Sequence, residues 1–443
     1  MVSPSLPQAA AAPRWRQTVH YTLKPLEYME QAARRSGDLF NAPVIGSHET
    51  ILFVSNPKGI QKLFSGSPTI TAPANALLQP IVGDRSIFGL TGERHQRERR
   101  LLMPPFHREQ IPQYGELILE LTEQAMARLR PGEQFLARTL MQTVSLEVIL
   151  KVVFGLGEGE RFAQLKQLIV ALTDSFQNMG VSSALFLPAL QRDFLPWGKF
   201  QRIRRQISQL LNAEITERRR QDISQRRDIL SLLMATRDED GQPLSDAELH
   251  DELLTMLIAG HETTASAISW ALYWTYQNGQ VYQRLRQELE ALGPDPDPMD
   301  IVRQPYLGAV CNEALRIYPI AILTVPREVT APMEFMGHRL QPGTRLYGAI
   351  YLTHHRQDLY PNSHRFIPER FLERQFSASE FLPFGGGQRR CIGEVLAMFE
   401  MKLVLATLVS RYRLSWVGKQ PEVPKRRGVT MAPGRGVEMV FEG

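Results

Sequence analysis

Residues 384–393 read Phe384-Gly385-Gly386-Gly387-Gln388-Arg389-Arg390-Cys391-Ile392-Gly393. Cys391 is one of only two cysteines in the chain, the other being Cys311. It follows two arginines in a glycine-rich loop and precedes an apolar helical run from Val395 to Leu408. Cationic neighbours and the N-terminal end of a helix both favour a charged sulfur, so this thiol is well placed to be a thiolate ligand. Taken alone, it fits equally well a nucleophile, a redox sensor or an inert loop cysteine.

Working outward, 443 residues are enough to bury a large core. Length alone suggests about three domains. No Ser/Gly-rich or charge-rich linker divides the chain, so we expect one integrated domain over 21–443 behind a flexible segment 1–20. Hydrophobic content of 43% and charged content of 22% are ordinary for a soluble enzyme. The net charge of +5 is too weak and too scattered to argue for nucleic acid, but it suits an acidic protein partner. Two cysteines make no disulfide framework and suit a reducing cytoplasm. Met1 to Arg16 lacks a charged start followed by an apolar run, so neither signal peptide nor anchor is expected. No stretch approaches roughly 18 apolar residues, which excludes a membrane-spanning helix. Ala184 to Trp197 is apolar but interrupted by Pro188, Gln191, Arg192, Asp193 and Pro196. It reads as a peripheral membrane contact, a pocket gate or a surface loop with buried anchors.

The periodicity predicts a mainly α chain with a smaller β region. Leu39 to Val44 and Ile51 to Val54 form an expected hairpin around Gly46-Ser47-His48. Met333 to Met336 and Arg339 to Leu340 flank a turn at Gly337-His338. Arg345 to Ile350, Arg411 to Val417 and Val437 to Phe441 are the remaining strands. Amphipathic helices are expected at Leu117 to Leu129, Met141 to Phe154, Gly198 to Gln221 and Val395 to Leu408. The longest runs from Ser245 to about Tyr276. Ser245 with Glu248 fits a capping box, and a helix of that length spans roughly 45–50 Å.

That long helix carries Ala259-Gly260-His261-Glu262-Thr263-Thr264. A polar cluster midway along a buried helix is costly unless it is satisfied or used. Ala259 and Gly260 remove bulk where a flat ligand would approach, and Thr263 can bond the carbonyl of Ala259. Packing alone also explains such residues. Glu313 and Arg316 share one face of a helix from about Gln304 to Tyr318. Such pairs are usually solvated, yet Val310, Leu315 and Ile317 point to burial, which requires a further partner. Arg370, in Pro368-Glu369-Arg370-Phe371, is the candidate. His95 and Arg99 stand i, i+4 and suit the carboxylates of an anionic cofactor, although alone they read as a basic surface helix. Cys311, among apolar residues, reads as a buried inert thiol. His354 and His355 receive no metal role.

Taken together, these elements resemble the cytochrome P450 family. Phe384-x-x-Gly387-x-Arg389-x-Cys391-x-Gly393 matches its haem-ligand motif at every defined position. The His95-x-x-x-Arg99 pair, the Ala-Gly-x-Glu-Thr-Thr segment, Glu313-x-x-Arg316 and Pro368-Glu369-Arg370-Phe371 follow the family's order and approximate spacing. Many members carry Trp where His95 stands. The resemblance covers essentially the whole chain and is similar in character to bacterial members, including a cyanobacterial group associated with fatty acids or terpenes.

The resemblance implies a single integrated domain with haem b held between the long central helix and the Cys-bearing loop. Cys391 is then the iron ligand, with Phe384, Gly387 and Gly393 shaping its loop and Ala259 and Gly260 beside the macrocycle. Arg389, His95, Arg99 and Arg327 are the implied propionate ligands. Thr263 and Glu262 are the implied proton-handling pair for dioxygen. Glu313, Arg316 and Arg370 form a structural triad. The implied substrate pocket comprises Ala74, Leu77, Leu78, Val82, Leu257, Ala259, Ile320, Ile322, Leu323, Val325, Val429 and Met431. These are apolar, which favours a hydrophobic small molecule. No flavin or iron–sulfur module is recognisable, so electrons are expected from a ferredoxin or flavodoxin with its NAD(P)H reductase. Arg97, Arg100, Arg108, Arg390 and Lys402 are candidates for a basic docking face or a solvated set of charges. The alternatives are a peroxide-using or isomerising enzyme of the same fold, and a non-catalytic haem sensor or carrier.

Overall fold

The computed structural model describes residues 6, 8–46, 50–74, 78–157, 159–175, 180–181, 184 and 190–443. The expected turn at Ser47-His48, the pocket residue Leu77 and residues 185–189 of the Ala184 to Trp197 segment therefore lie outside the described residues. The chain is mainly helical with short strands, as its periodicity predicts. Its residues group into two compact units. One holds Met1–Asn75, Leu315–Cys391 and Val429–Met431, and the other holds Ala76–Ala314, Ile392–Gly428 and Ala432–Gly443.

The first unit is built on a five-stranded sheet. Its strand order is Leu39–Asn41, Ile51–Val54, Arg345–Gly348, Arg327–Val329, Ile70–Thr71. Ile51–Val54 is buried at every position, which matches its unbroken apolar sequence. It pairs antiparallel with the first strand, Leu39 opposite Val54, and parallel with Arg345–Gly348, Ile51 opposite Arg345. The first strand ends at Asn41, before the expected Val44, where the Asn41 side chain accepts the Ile51 amide at 2.9 Å. Gly348 ends the central strand and a short helix, Ile350–His354, replaces its expected continuation. Met333–Phe335 and His338–Leu340 form the second hairpin. Its turn falls at Met336 (φ 49°) and Gly337 (φ 81°), one residue earlier than read, so His338 belongs to the strand. Two consecutive left-handed residues match the right-handed twist of a tight hairpin.

The second unit is organised on the long helix, Asp246–Gln277. Its start is the predicted capping box: Ser245 Oγ accepts the Glu248 amide at 3.3 Å, and the Ser245 amide donates to Glu248 Oε2 at 2.8 Å. The helix Ala137–Phe154 crosses it and is buried through most of its length. No side chain caps that crossing helix. Its first amides are instead satisfied by a strand edge, Ala137 on the Val437 carbonyl at 2.9 Å and Arg138 on the Gly436 carbonyl at 3.0 Å. Val437 stands at φ 62°, a strained value for a β-branched residue. The buried Glu422 carboxylate holds it there, accepting the amides of Val437, Arg435 and Val423 at 3.0, 2.8 and 3.2 Å. A three-stranded sheet of Gln134–Leu136, Glu438–Phe441 and Leu414–Trp416 completes this corner. The helix Glu394–Arg411 consumes Arg411, which had been read as strand.

Candidate functional site

In the first unit, Cys391 is exposed and forms no disulfide. Its amide donates to the Phe384 carbonyl at 3.0 Å, closing the glycine loop on itself. Gly387 takes φ 62° at the start of the turn Gly387–Arg389. Gly386 lies against Phe64 so closely that an added Cβ would stand 2.3 Å from the ring. Arg327 fastens the same point, donating to the Gly386 carbonyl at 3.0 Å while its guanidinium lies 5.6 Å from the Phe64 ring centre. Its other bonds go to the carbonyls of Val325 and Pro326 at 3.0 and 3.2 Å. Burial pushes the Arg327 pKa down to about 10, and no carboxylate among the described residues pairs with it. Arg389 is half-buried and donates to the Ala72 carbonyl at 3.2 Å.

Beneath this loop a polar chain anchors the backbone. Arg316 is fully buried and donates to the carbonyls of His354 and Arg365 at 2.7 and 3.3 Å. Arg370 donates to the Pro361 carbonyl at 3.3 Å. Both guanidinium groups lie over the Tyr360 ring, at 5.1 and 5.9 Å from its centre, where the π face offsets their charge. His354 Nε2 accepts the Leu382 amide at 3.0 Å, two residues before Phe384. Burial and the Arg316 cation hold the His354 pKa well below its usual value, so the ring is neutral. The histidine given no metal role thus has a positional one. Glu313 is fully buried, as the apolar flanks predicted.

In the second unit, the long helix is buried from Thr264 to Tyr273, yet Ala259 is exposed and Met256 and Thr263 are half-buried. These positions share one face, so the middle of a core helix looks onto open space. Thr263 Oγ donates to the Ala259 carbonyl at 2.5 Å, and Thr264 Oγ donates to the Gly260 carbonyl at 2.7 Å. Gly260 differs from its expected use. A Cβ there would lie 2.7 Å from Ile149 of the crossing helix, so its small size serves helix packing. Glu262 is gripped by Arg138 and by Gln142, whose amide lies at 2.5 Å. Sequence reasoning missed both partners. Their i, i+4 spacing on an otherwise apolar helix was the available clue.

On the helix Gly92–Leu102, His95 is buried and Arg99 half-buried. Arg97, expected on a basic face, is instead held by Asp238 at 2.6 Å, with Glu98 and Glu248 each at 3.5 Å. Lys402 is spent on the Val302 carbonyl at 2.7 Å. Arg100 lies 3.5 Å from Glu239 at the surface, and Arg108 and Arg390 are exposed. Of the expected pocket residues, Val82, Leu257, Ile320, Ile322 and Met431 are buried, Ala74, Leu78, Leu323 and Val325 half-buried, and Ala259 and Val429 exposed. Gly393 has open space where a Cβ would stand. Cys311 is fully buried, and burial pushes its thiol up to about 12.

The family profile described as Cytochrome P450 matches residues 10–437. Cytochrome P450 135B1 of Mycobacterium tuberculosis is 34% identical over 419 residues, 94% of this chain and 86% of that protein. Cytochrome P450 135A1 of the same organism is 31% identical over 438 residues, 98% of this chain and 94% of that one. Among solved structures, a retinoic acid-bound cyanobacterial CYP120A1 has the same fold, with a TM-score of 0.86, 24% identity and 99% of each chain covered.

Proposed function

The chain belongs to the cytochrome P450 family of Cys-ligated haem b monooxygenases, and we propose that it takes electrons from separate redox proteins and hydroxylates a fatty-acid- or terpenoid-like molecule. The residues present fit the cofactor. The exposed Cys391 thiol stands on a tethered loop, and among the described residues Arg327 is a buried cation bonded only to carbonyls, the chemistry a carboxylate would complete. The exposed Ala259 in a core helix leaves room for a flat face.

On this reading Cys391 would ligate the haem iron, and Arg327, Arg389, His95 and Arg99 would hold the propionates. Phe384, Gly387 and Gly393 give the loop its shape. Bound haem supplies the activation of dioxygen. The chain supplies proton control. The Thr263 hydroxyl proton is committed to the Ala259 carbonyl, so Oγ would accept from, and so orient, a water placed beside it. Glu262, one residue away, is kept in place by Arg138 and Gln142 and can pass protons through that water. Glu313, Arg316 and Arg370 are read as a structural triad that takes no part in chemistry. The apolar character of Leu78, Val82, Ile320, Ile322, Leu323, Val325, Val429 and Met431 favours a lipophilic substrate. Arg97 and Lys402 are engaged internally, while Arg100 and Arg108 are exposed and are the cations proposed to meet an acidic ferredoxin or flavodoxin. No helix among the described residues is long and apolar enough to cross a membrane.

The intact Glu262–Thr263 pair carries the monooxygenase reading over peroxide use, because a peroxide-driven enzyme has no need of proton delivery to dioxygen. Turnover of palmitic and retinoic acids with ferredoxin, its reductase and NADPH, set against turnover with hydrogen peroxide alone, tests it. Product from the reductase system supports the reading. Product with peroxide and none from the reductase system overturns it.

A further inference from the structure

The long helix ties down segment 78–88 through three side chains that lie just before Ala259. Asp251 Oδ2 accepts the Arg85 amide at 2.9 Å, and Glu252 Oε1 accepts the Ile87 amide at 2.6 Å. The Thr255 and Ser86 hydroxyls bond at 2.8 Å. The helix Pro196–Arg218 adds a second hold, with Arg204 Nε on the Ile81 carbonyl at 2.8 Å and Gln201 on the Pro80 carbonyl at 3.5 Å. Gly83 stands at φ +100°, and a Cβ there would lie 2.3 Å from the Asp251 carboxylate. The backbone therefore rests directly on that side chain. Glu252 is 1% exposed, and burial with the nearby Glu98 holds its pKa well above the carboxylate range.

Neighbouring acids on one helix thus address alternate amides of one short segment. Such bonds fix the segment's position independently of its own side chains. Thr255 precedes Ala259 by about one helical turn, roughly 6 Å. A shift of the segment therefore alters the space beside the exposed face of Ala259 and Thr263. We propose that Asp251, Glu252 and Thr255 are positioning residues that fix segment 78–88 on the long helix and thereby set the size of ligand the site accepts. This rests on the monooxygenase reading, which places Leu78 and Val82 beside the substrate.

The test uses haem-loaded protein titrated with two azoles, imidazole and the bulky clotrimazole, followed by the Soret shift. Asp251→Ala and Glu252→Ala should weaken clotrimazole about five- to tenfold, the cost of losing an ordered contact surface, and leave imidazole within about twofold. Asp251→Asn and Glu252→Gln keep an acceptor oxygen and should restore clotrimazole binding. Hydrogen exchange should show faster exchange at Arg85 and Ile87 in the alanine variants, with the amides of 264–273 unchanged. Where an alanine variant does not accumulate, Thr255→Ala, which removes only a hydroxyl, takes its place. Equal weakening of both azoles, or unchanged clotrimazole affinity, overturns the proposal. A wild-type protein that binds haem but shows no Soret shift with either azole overturns the monooxygenase reading, and the proposal with it.

Discussion

Arg138 and Glu262 form an ion pair in which a guanidinium 8% exposed holds a carboxylate 17% exposed. The pair joins the first turn of one helix to the middle of another, one residue from Thr263. Arg138→Ala leaves Glu262 with Gln142 alone. Peroxide released per NADPH consumed should rise severalfold, about two- to tenfold, while the reduced carbonyl spectrum stays that of the wild type. Arg138→Lys should recover part of the loss. Unchanged peroxide release would show that Glu262 does not depend on this partner.

Thr263→Ala removes the hydroxyl whose proton rests on Ala259. Electrons should still be consumed, but product per NADPH should fall about tenfold. Thr263→Ser keeps the hydroxyl and should fall by much less. Comparing product formed with NADPH oxidised in the three proteins decides between a chemical and a packing role, since packing alone would not distinguish Ser from Ala in this direction.

The two cysteines should behave oppositely. Cys391→Ala should abolish the red-shifted Soret band of the reduced carbonyl complex, whereas Cys311→Ala should leave it in place. In native, haem-loaded protein a thiol reagent should titrate neither sulfur, because on the proposed reading Cys391 is ligated, and Cys311 is fully buried with its pKa pushed up to about 12. Unfolding in denaturant should release both.

Glu400, fully buried on the helix Glu394–Arg411, has its pKa pushed by burial from the usual 4.5 up to about 8. In that window the native state holds a proton that the unfolded state has lost. Its effect on stability is therefore felt as a loss as pH rises from about 4.5 towards 8, with no further change above. Glu98, raised to about 7 chiefly by burial, acts with the same sign over a narrower window. Glu400→Gln should flatten the fall in thermal midpoint between pH 6 and 8 by about 3 °C, measured by calorimetry. An unchanged slope would assign the titration elsewhere.

What was legible in the sequence was local. The capping box at Ser245, the apolar strand Ile51–Val54 and the motif around Cys391 each depend on neighbours a few residues away. Burial of Glu313 and Arg316 was legible from their flanks. What was not legible depends on segments brought together by folding. Asp238 returns to neutralise Arg97, so a residue read as a docking cation is internal. Gly260 reads as clearance for a ligand until Ile149 arrives from the crossing helix. His354 carried no clue to its bond with Leu382, because a histidine's role is set by what its two nitrogens meet. Hairpin ends fell one to three residues short of the expected bounds where a side chain or a left-handed turn, and not hydrophobicity, stopped the ladder.

The parallel pairing of Ile51 with Arg345 has a consequence for how the chain is made. The strand at Ile51 leaves the ribosome early, and its central partner follows about 300 residues later, roughly 15–60 s at ordinary rates of synthesis. Until then Ile51–Val54 can pair only with the strand before it, and one edge stays open. The partner that closes it arrives shortly before the loop that bears Cys391. The sheet and the cysteine loop are therefore completed in one late event, and cofactor loading waits on translation of the last quarter of the chain.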